Sequence, residues 1–391
     1  MWTIKIPALL GLVSIAFAVP LQTTFNGIEI VHRQTAREID TWALNPAGEA
    51  AVIKVKKYTN ERPEYELHLL AINAQYTVPS VLYGQAVGES LYTFLDDKTF
   101  LTLIESRHKG IWKLSSQTLN CTTIPPAFPP SASPAQMVTK LAVSSNVEQL
   151  IFSSGARILS LILKSGEVIL LDLAEEKGNW KIKGKPRTPS FDNLVINDAT
   201  SNATHLALTA RSASSKLPSA LYSLSLLDPD ATPQRLTTSS RNVLSSPTFG
   251  ADNHLAWLSQ VKDEKRELWL WNGQDKWKVD LSFEHSPKTV LFSKDGKAIY
   301  LLAEHETQQS LFHLWTPNQY AHDAIKPVRI PSNGTIYSAI HVGITPLDHA
   351  HLIGLKSDHD KNEGKELWVI SHSPHQDPTY NYENIRLTYF T

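Results

Sequence analysis

The sequence of 391 residues contains one cysteine, Cys121, and has a formal net charge of only −1. A single thiol forms no intrachain disulfide, so folding must depend on buried apolar surface, which a chain of this length can supply. The densest positive stretches, 54–57 and 181–187, fall in strand and turn contexts and are predicted to be solvated. With no basic block, we expect no nucleic-acid partner.

Signatures of catalysis are also missing from the sequence. No G-x-S-x-G nucleophile elbow occurs; Gly88-Glu89-Ser90 comes nearest, but Tyr92 stands where the second glycine is needed. Without that tight turn, no serine is presented to a histidine with an oxyanion hole behind it. We therefore predict no catalytic residue in this chain.

Two groups of possible metal ligands lack the spacing that a metal requires. The stretch 358–364 alternates oxygen ligands like a calcium loop, but its glycine is displaced by one position and no bidentate glutamate follows. Four histidines near the end of the chain show no HExxH or comparable spacing; they are His349, His351, His372 and His375. We interpret them as surface histidines and the stretch as a solvated hairpin loop, and predict no metal and no cofactor.

Only the N-terminus has a long apolar run. Lys5 precedes apolar residues from Ile6 to Phe17, and Ala16-Phe17-Ala18 forms the small-x-small pattern of a signal-peptidase site. The run is shorter than the about 20 residues that span a bilayer, so a membrane anchor is disfavoured. The alternative is a buried N-terminal strand. We predict a signal peptide over residues 1–18, cleavage between Ala18 and Val19, and a secreted, extracellular protein.

Three N-glycosylation sequons agree with export, since each lies in a polar, turn-rich stretch. Their asparagines are Asn120, Asn202 and Asn333. Cys121 lies inside the first sequon and beside no catalytic partner, so we interpret it as an unpaired bystander thiol. We predict a glycoprotein.

What the sequence does contain is internal repetition. A short apolar segment, a polar turn and a second apolar run recur seven times, about 50 residues apart. The turns use Asn-Pro-x-Gly and Lys-Asp-Gly, which suit tight β-hairpins, and the flanking runs are rich in β-branched and aromatic residues. The seven units begin at Ala43, Tyr92, Leu141, Leu194, Thr248, Leu291 and Gly343.

Further strands complete each unit. Third strands are predicted at 67–69, 111–114, 268–271, 311–314 and 367–370, and outer strands at 234–237 and 385–388. A β-sandwich would also give many short strands, but without this fixed long period. We predict an all-β fold over residues 19–391: a β-propeller of about seven four-stranded blades. Eight tryptophans at strand positions are interpreted as packing between blades; they are Trp112, Trp180, Trp257, Trp269, Trp271, Trp277, Trp315 and Trp368.

The segment Leu291–Tyr300, with the sequence LFSKDGKAIY, resembles the blade turn of TolB and of the prolyl oligopeptidase family of serine peptidases. The first unit, Asn45–Ile53, resembles the first blade of secreted fungal dipeptidyl-peptidase V proteins, which also have an export signal. Within the family, this group resembles the sequence most. In that family an α/β-hydrolase domain carrying a Ser-Asp-His triad follows the propeller, whereas this sequence ends at Thr391. The resemblance therefore implies a gating propeller without its hydrolase domain, apparently through truncation.

Two functions remain open on this resemblance. The first is a non-catalytic propeller that admits peptide substrates to a missing or separate hydrolase domain. The second is a stand-alone secreted propeller that binds a peptide, glycan or protein at its channel ends. Some relatives hold the substrate ammonium with a glutamate pair; Glu175-Glu176 lacks their flanking motif, and we interpret it as a hairpin turn.

Overall fold

In the computed structural model of the chain, the regular elements of the described residues are β-strands, apart from a single 3₁₀-helical residue, Asn253. The described residues are 23–25, 28–30, 37–59, 62–72, 83–87, 90–106, 110–120, 131–191, 194–213, 219–238, 241–244, 247–250, 253–261, 265–293, 295–305, 308–317, 323–332, 334–344, 350–357, 365–372 and 382–386. The predicted signal peptide and its cleavage site at Ala18 and Val19 lie outside them. No helix in these residues is long and apolar enough to span a membrane.

The strands form seven antiparallel sheets, the blades, and one separate hairpin of β1 (Thr23–Phe25) and β2 (Ile28–Ile30). Blades 1 to 3 contain β3 (Arg37–Leu44), β4 (Ala50–Thr59), β5 (Arg62–Ala71) and β6 (Tyr83–Val87); β7 (Ser90–Phe94), β8 (Thr99–Glu105), β9 (Ile111–Asn120), β10 (Ser131–Ala132) and β11 (Gln136–Ala142); and β12 (Val147–Ser153), β13 (Ile158–Leu163), β14 (Val168–Glu176) and β15 (Asn179–Ile182).

Blades 4 to 7 repeat the arrangement. They contain β16 (Leu194–Ser201), β17 (His205–Ser212), β18 (Ala220–Ser225) and β19 (Gln234–Arg235); β20 (Arg241–Val243), β21 (Thr248–Phe249), β22 (Leu255–Val261), β23 (Glu267–Trp271) and β24 (Lys276–Val279); β25 (Pro287–Phe292), β26 (Ala298–His305), β27 (Gln308–Trp315) and β28 (Val328–Ile330); and β29 (Thr335–Ile344), β30 (Ala350–Ser357), β31 (Glu366–His372) and β32 (Tyr382–Arg386).

The second strand of each blade is buried on both faces, which explains the apolar runs in the sequence. In β26, Ile299 and Leu301 pack toward blade 5, whereas Tyr300 and Leu302 pack toward blade 7. Successive side chains alternate between the two faces of a strand, so a sheet covered on both sides needs a continuous apolar segment. The blades therefore stack face to face.

Seven hydrophobic clusters close the stack into a ring, because each cluster is shared by two neighbouring blades. The last of these interfaces joins Ile39 and Ile53 of blade 1 to Ile353 and Leu367 of blade 7. A ring of seven radial sheets is a β-propeller. The predicted fold class is confirmed, including the number of blades and their four-stranded pattern.

Each blade is built from consecutive strands, so no described strand crosses from one end of the chain to the other. In the described residues, blade 1 and blade 7 are joined by side-chain contacts only. Beside the apolar cluster, Trp42 Nε1 donates to Ser338 Oγ at 3.3 Å, and Lys365 Nζ lies 3.3 Å from Glu38 Oε1. We call this junction the seam.

Six of the seven predicted hairpins are confirmed as the first two strands of a blade. The third is wrong: β11, which ends at Ala142, pairs with β9 as an outer strand of blade 2, and Leu141 lies opposite Trp112. The turn at 144–146 therefore connects two blades. The first hairpin of blade 3 instead turns at 154–157, where Arg157 adopts a φ of 54°.

The predicted third strands are all confirmed, as parts of β5, β9, β23, β27 and β31. For the outer strands, Gln234–Arg235 and Tyr382–Arg386 lie where the repeat places them, and residues 387–388 are outside the described part of the chain.

Candidate binding site on the channel wall

The first strand of each blade lies next to the central axis, with one edge unpaired within its sheet. β29 has a second register shift, at Val342, and five of these inner strands contain a β-bulge at an exposed residue. These residues are Asp40, Glu148, Asn197, Lys288 and Tyr337. Because a bulge redirects a side chain out of the regular ladder, the inner wall presents polar or aromatic groups rather than an apolar surface.

The inner strand of blade 5 is interrupted. Val243 in β20 pairs with Ser259, and Thr248 in β21 pairs with Ala256, so the register against β22 shifts by two residues between the two segments. One further bond, from Leu244 N to Leu258 O at 3.0 Å, extends the first segment. The inner strand of blade 5 is therefore divided in two, with Leu244 and Pro247 outside both segments, whereas the inner strands of blades 4 and 6 are continuous.

A cavity of about 340 Å³ lies beside this interruption, and we call it the recess. Its walls come from three blades, and most of its side chains are polar. They are Asn197, Asp198, Thr209 and Ser219 of blade 4, Val243 and Leu244 of blade 5, and Lys288 and Thr289 of blade 6. Its volume is at the lower end of the range for small-molecule sites, about 300–1,000 Å³.

On the blade 4 side, the polar groups are fixed by hydrogen bonds. Asp198 Oδ1 accepts from Gln149 Nε2 at 2.5 Å and from its neighbour Ala199 N at 2.8 Å. Asn197 Nδ2 donates to Ser219 Oγ at 3.1 Å, and Thr209 Oγ1 donates to the Asp198 carbonyl at 3.3 Å. This wall is thus preorganised before any ligand arrives.

On the blade 6 side of the recess, the charged side chain is held less firmly. Lys288 Nζ lies 2.9 Å from Glu304 Oε2, and the two side chains are 46% and 59% exposed. Surface ion pairs of this kind are worth about 0–1 kcal/mol, so the lysine can exchange its partner at little cost. The hydroxyls of Ser219 and Thr209 bond to an amide and to a carbonyl, and no histidine or cysteine is among the described residues that line the recess. This set of polar groups is suited to binding a small ligand in the recess.

The equivalent junction of blades 1 and 2 is filled by its own side chains. Thr41 Oγ1 and the Tyr92 hydroxyl are 2.9 Å apart, and Lys54 Nζ lies 3.1 Å from Asp40 Oδ2. Loss of hydration around the phenol raises the pKa of Tyr92 well above its usual value, so the hydroxyl stays protonated and able to donate.

Two of the three predicted glycosylation sites fall in the described residues, and neither lines the recess. Asn120 is the last residue of β9, and Asn202 lies in the first turn of blade 4, where its Oδ1 accepts from Thr204 N and His205 N. Its Nδ2 donates to Asn253 Oδ1 of blade 5 at 2.6 Å. Asn333 is outside the described residues. Glycosylation at these sites stays a prediction.

The other candidate groups are dispersed. Glu175 and Glu176 are exposed at the end of β14, and Glu176 pairs with Lys181 at 2.8 Å, away from the inner strand. His351 and His372 lie in β30 and β31, whereas His349, His375 and the stretch 358–364 are outside the described residues. Within the described part, no three His, Cys, Asp or Glu side chains are grouped to hold a metal.

Sequence reasoning missed the recess. Its residues Asn197, Asp198 and Lys288 carry only a weak local signal, which is that each is polar and lies within an inner strand. Their convergence, however, depends on three blades and on the interruption in blade 5, which no local spacing reports.

Comparison with known proteins rests on structure, since no protein-family model and no protein of curated function matches the sequence. The propeller domain of the Trilobed protease from Pyrococcus furiosus, described as having an open velcro topology, superposes with a TM-score of 0.57 at 10% identity, over 90% of this chain and 98% of that one. The likeness shows the fold. The consecutive strands of each blade agree with that topology.

Two full-length peptidases resemble the chain to a similar degree. Acylaminoacyl peptidase from Pyrococcus horikoshii gives a TM-score of 0.55 at 10% identity, over 90% of this chain and 52% of that one. Prolyl oligopeptidase B from Galerina marginata gives 0.56 at 8% identity, over 90% and 51%. This chain therefore spans about half the length of these two peptidases.

Proposed function

We propose that this chain is the substrate-gating propeller of a secreted peptidase of the prolyl oligopeptidase family, with dipeptidyl-peptidase V-like character. The observation that carries the proposal is the ring of seven consecutive-strand blades, shared over 90% of the chain with the propellers of such peptidases. The blade turn Leu291–Tyr300, read from the sequence, supports the same family. The hydrolase domain is supplied by another segment or another chain.

The inner wall suits the passage of peptides. Unpaired strand edges offer backbone donors and acceptors, and the bulged residues add polar side chains at the same wall. A peptide in extended form has matching groups along its whole length, whereas a folded protein has already paired most of its backbone groups internally. The propeller would therefore select short, unstructured peptides. Export through the predicted signal peptide and glycosylation at Asn120, Asn202 and Asn333 belong to the same proposal.

The transcript that encodes the chain tests the proposal directly. Sequencing it past the codon for Thr391, together with the adjacent genes, is expected to reveal an α/β-hydrolase segment with a G-x-S-x-G elbow. A reading frame that stops at this codon, with no such segment in the same transcript or beside it in related loci, would contradict a peptidase role.

The purified chain of residues 19–391 is expected to leave dipeptidyl chromogenic substrates intact. Triad chemistry needs a nucleophile beside a base and donors for the oxyanion, and the sequence holds no elbow to present them. Turnover is measured alongside an active-site serine probe. Activity above the buffer blank together with stoichiometric labelling of one serine would refute the prediction, whereas activity without labelling would identify a contaminating host peptidase.

A further inference from the structure

We infer that Asn272 is a site of spontaneous deamidation in the folded chain, where the side-chain amide is lost and aspartate and isoaspartate form. Asn272 and Gly273 lie in the connection between β23 and β24, the outer strands of blade 5. The sequence has three Asn-Gly pairs, and in this pair both residues belong to the described part of the chain. The inference concerns the chain's own chemistry and requires no hydrolase domain, so it goes beyond the gating role.

Deamidation needs a backbone nitrogen that can reach the asparagine side chain. The nitrogen of Gly273 attacks Cγ of Asn272 and closes a succinimide ring, while its proton passes to solvent and the bond from Cγ to Nδ2 breaks to release ammonia. Water then opens the ring at Cγ to give aspartate, or at the main-chain carbonyl to give isoaspartate. A glycine favours the attack because no Cβ shields its nitrogen.

The turn supplies two donors to the oxygen on which charge develops. Asn272 Oδ1 accepts from the backbone N–H of Gln274 at 3.0 Å and from that of Asp275 at 2.7 Å. Attack on Cγ converts this oxygen into an oxyanion, and preorganised backbone donors stabilise such a charge. Gly273 is exposed and has nothing within 4 Å of the position of a Cβ, so water can reach the ring.

Two other asparagines accept the same kind of hydrogen bonds and are internal references. Asn202 Oδ1 accepts from two backbone N–H groups at 2.9 and 2.7 Å, but the next residue, Ala203, carries a Cβ. Asn202 Nδ2, the group that would leave, also donates to Asn253 Oδ1 at 2.6 Å. Asn45 Oδ1 accepts from two backbone N–H groups at 2.8 and 3.0 Å, but it is followed by Pro46, whose nitrogen carries no proton to lose.

Deamidation at this position would weaken the outer strand of blade 5. In β24, Lys276 Nζ donates to the Leu236 carbonyl of blade 4 at 2.6 Å, and Val279 packs in the cluster shared with blade 6. Isoaspartate adds a methylene group to the main chain just before this strand and so disturbs its pairing with β23. The product has one more negative charge, so ion exchange separates it. Its urea midpoint should be lower than that of the unmodified chain, and an equal midpoint would contradict the weakening of β24.

The test incubates the mature chain, produced without N-glycans, at mildly alkaline pH and follows each asparagine by peptide mapping with mass spectrometry. Asn272 is expected to lose its amide, with isoaspartate among the products, whereas Asn202 and Asn45 should stay intact. A synthetic peptide of residues 268–279, which has the sequence without the fold, should react no faster than the folded chain. Gly273→Ala is expected to slow the reaction at least about tenfold.

The matched control is Gly178→Ala, which adds a methyl group at another open turn with a positive φ, on the outer edge of blade 3. It should leave the reaction of Asn272 at the parental rate. An intact Asn272, a free peptide that reacts faster than the folded chain, or equal rates in Gly273→Ala and Gly178→Ala would each overturn the inference. The peptide comparison decides the matter if Gly273→Ala fails to fold. These results are independent of the transcript test, so the two proposals can fail separately.

Discussion

Replacing Gly166 with alanine is expected to lower the free energy of unfolding by about 3 kcal/mol or more. Gly166 turns the chain between β13 and β14 with a φ of 87°, where an L-residue costs about 1–2 kcal/mol. A Cβ there would also lie 2.8 Å from Val195 Cα and 3.0 Å from Ile196 N of blade 4. Because both of these are backbone atoms, the clash with the added methyl group can be relieved only if the two blades move apart. Such overpacking costs about a further 1–3 kcal/mol.

Gly178→Ala is the matched control, since Gly178 has a φ of 79° but nothing within 4 Å of the added methyl group. For this variant, the free energy of unfolding should fall only by the cost of the positive φ, about 1–2 kcal/mol. Urea unfolding followed by tryptophan fluorescence measures both variants. If the two variants lose the same stability, the close approach of blades 3 and 4 at this turn is wrong.

Trp257→Ala is expected to cost about 3–5 kcal/mol, the usual range for removing a large aromatic side chain from a core. Trp257 is 1% exposed and packs in the cluster shared by blades 4 and 5, with Trp269 stacked on it at 6.2 Å between ring centroids. The same urea titration measures the loss.

Two further variants test whether loss of apolar packing explains the lower stability of Trp257→Ala. Trp315 is 42% exposed, so Trp315→Ala should cost about 1 kcal/mol or less. Trp257 Nε1 has no hydrogen-bond partner in the described residues, so Trp257→Phe should lose much less than Trp257→Ala. A phenylalanine variant as unstable as the alanine variant would show that the indole N–H, rather than apolar packing, supports this interface.

Turn chemistry made most of the fold predictable. The turns at 45–48 and 293–296 contain the proline, glycine or Lys-Asp-Gly that a tight hairpin needs, and both were placed correctly. The unit at Leu141 was misassigned because two polar turns, at 144–146 and 154–157, lie close together between apolar runs. Only the pairing of β11 with β9 distinguishes them, and that pairing depends on tertiary packing.

The recess was not predictable by the same means. A bulge at Asn197 or Lys288 changes which way one side chain projects without changing the alternating apolar pattern around it. The division of the inner strand in blade 5 also leaves no signal in the sequence, because Thr248-Phe249 keeps the expected hairpin motif although β20 and β21 pair with β22 in different registers. Local patterns specify blades, whereas the site depends on how neighbouring blades differ.

The seam has a consequence for how the protein is made. In a propeller in which one blade combines strands from both ends of the chain, that blade can complete its sheet only after translation has ended. Here every blade has all its strands within one stretch of about 50 residues, so contact order within each sheet is low and each blade can form as it leaves the ribosome. Only the packing of blade 7 against blade 1 is left for the finished chain.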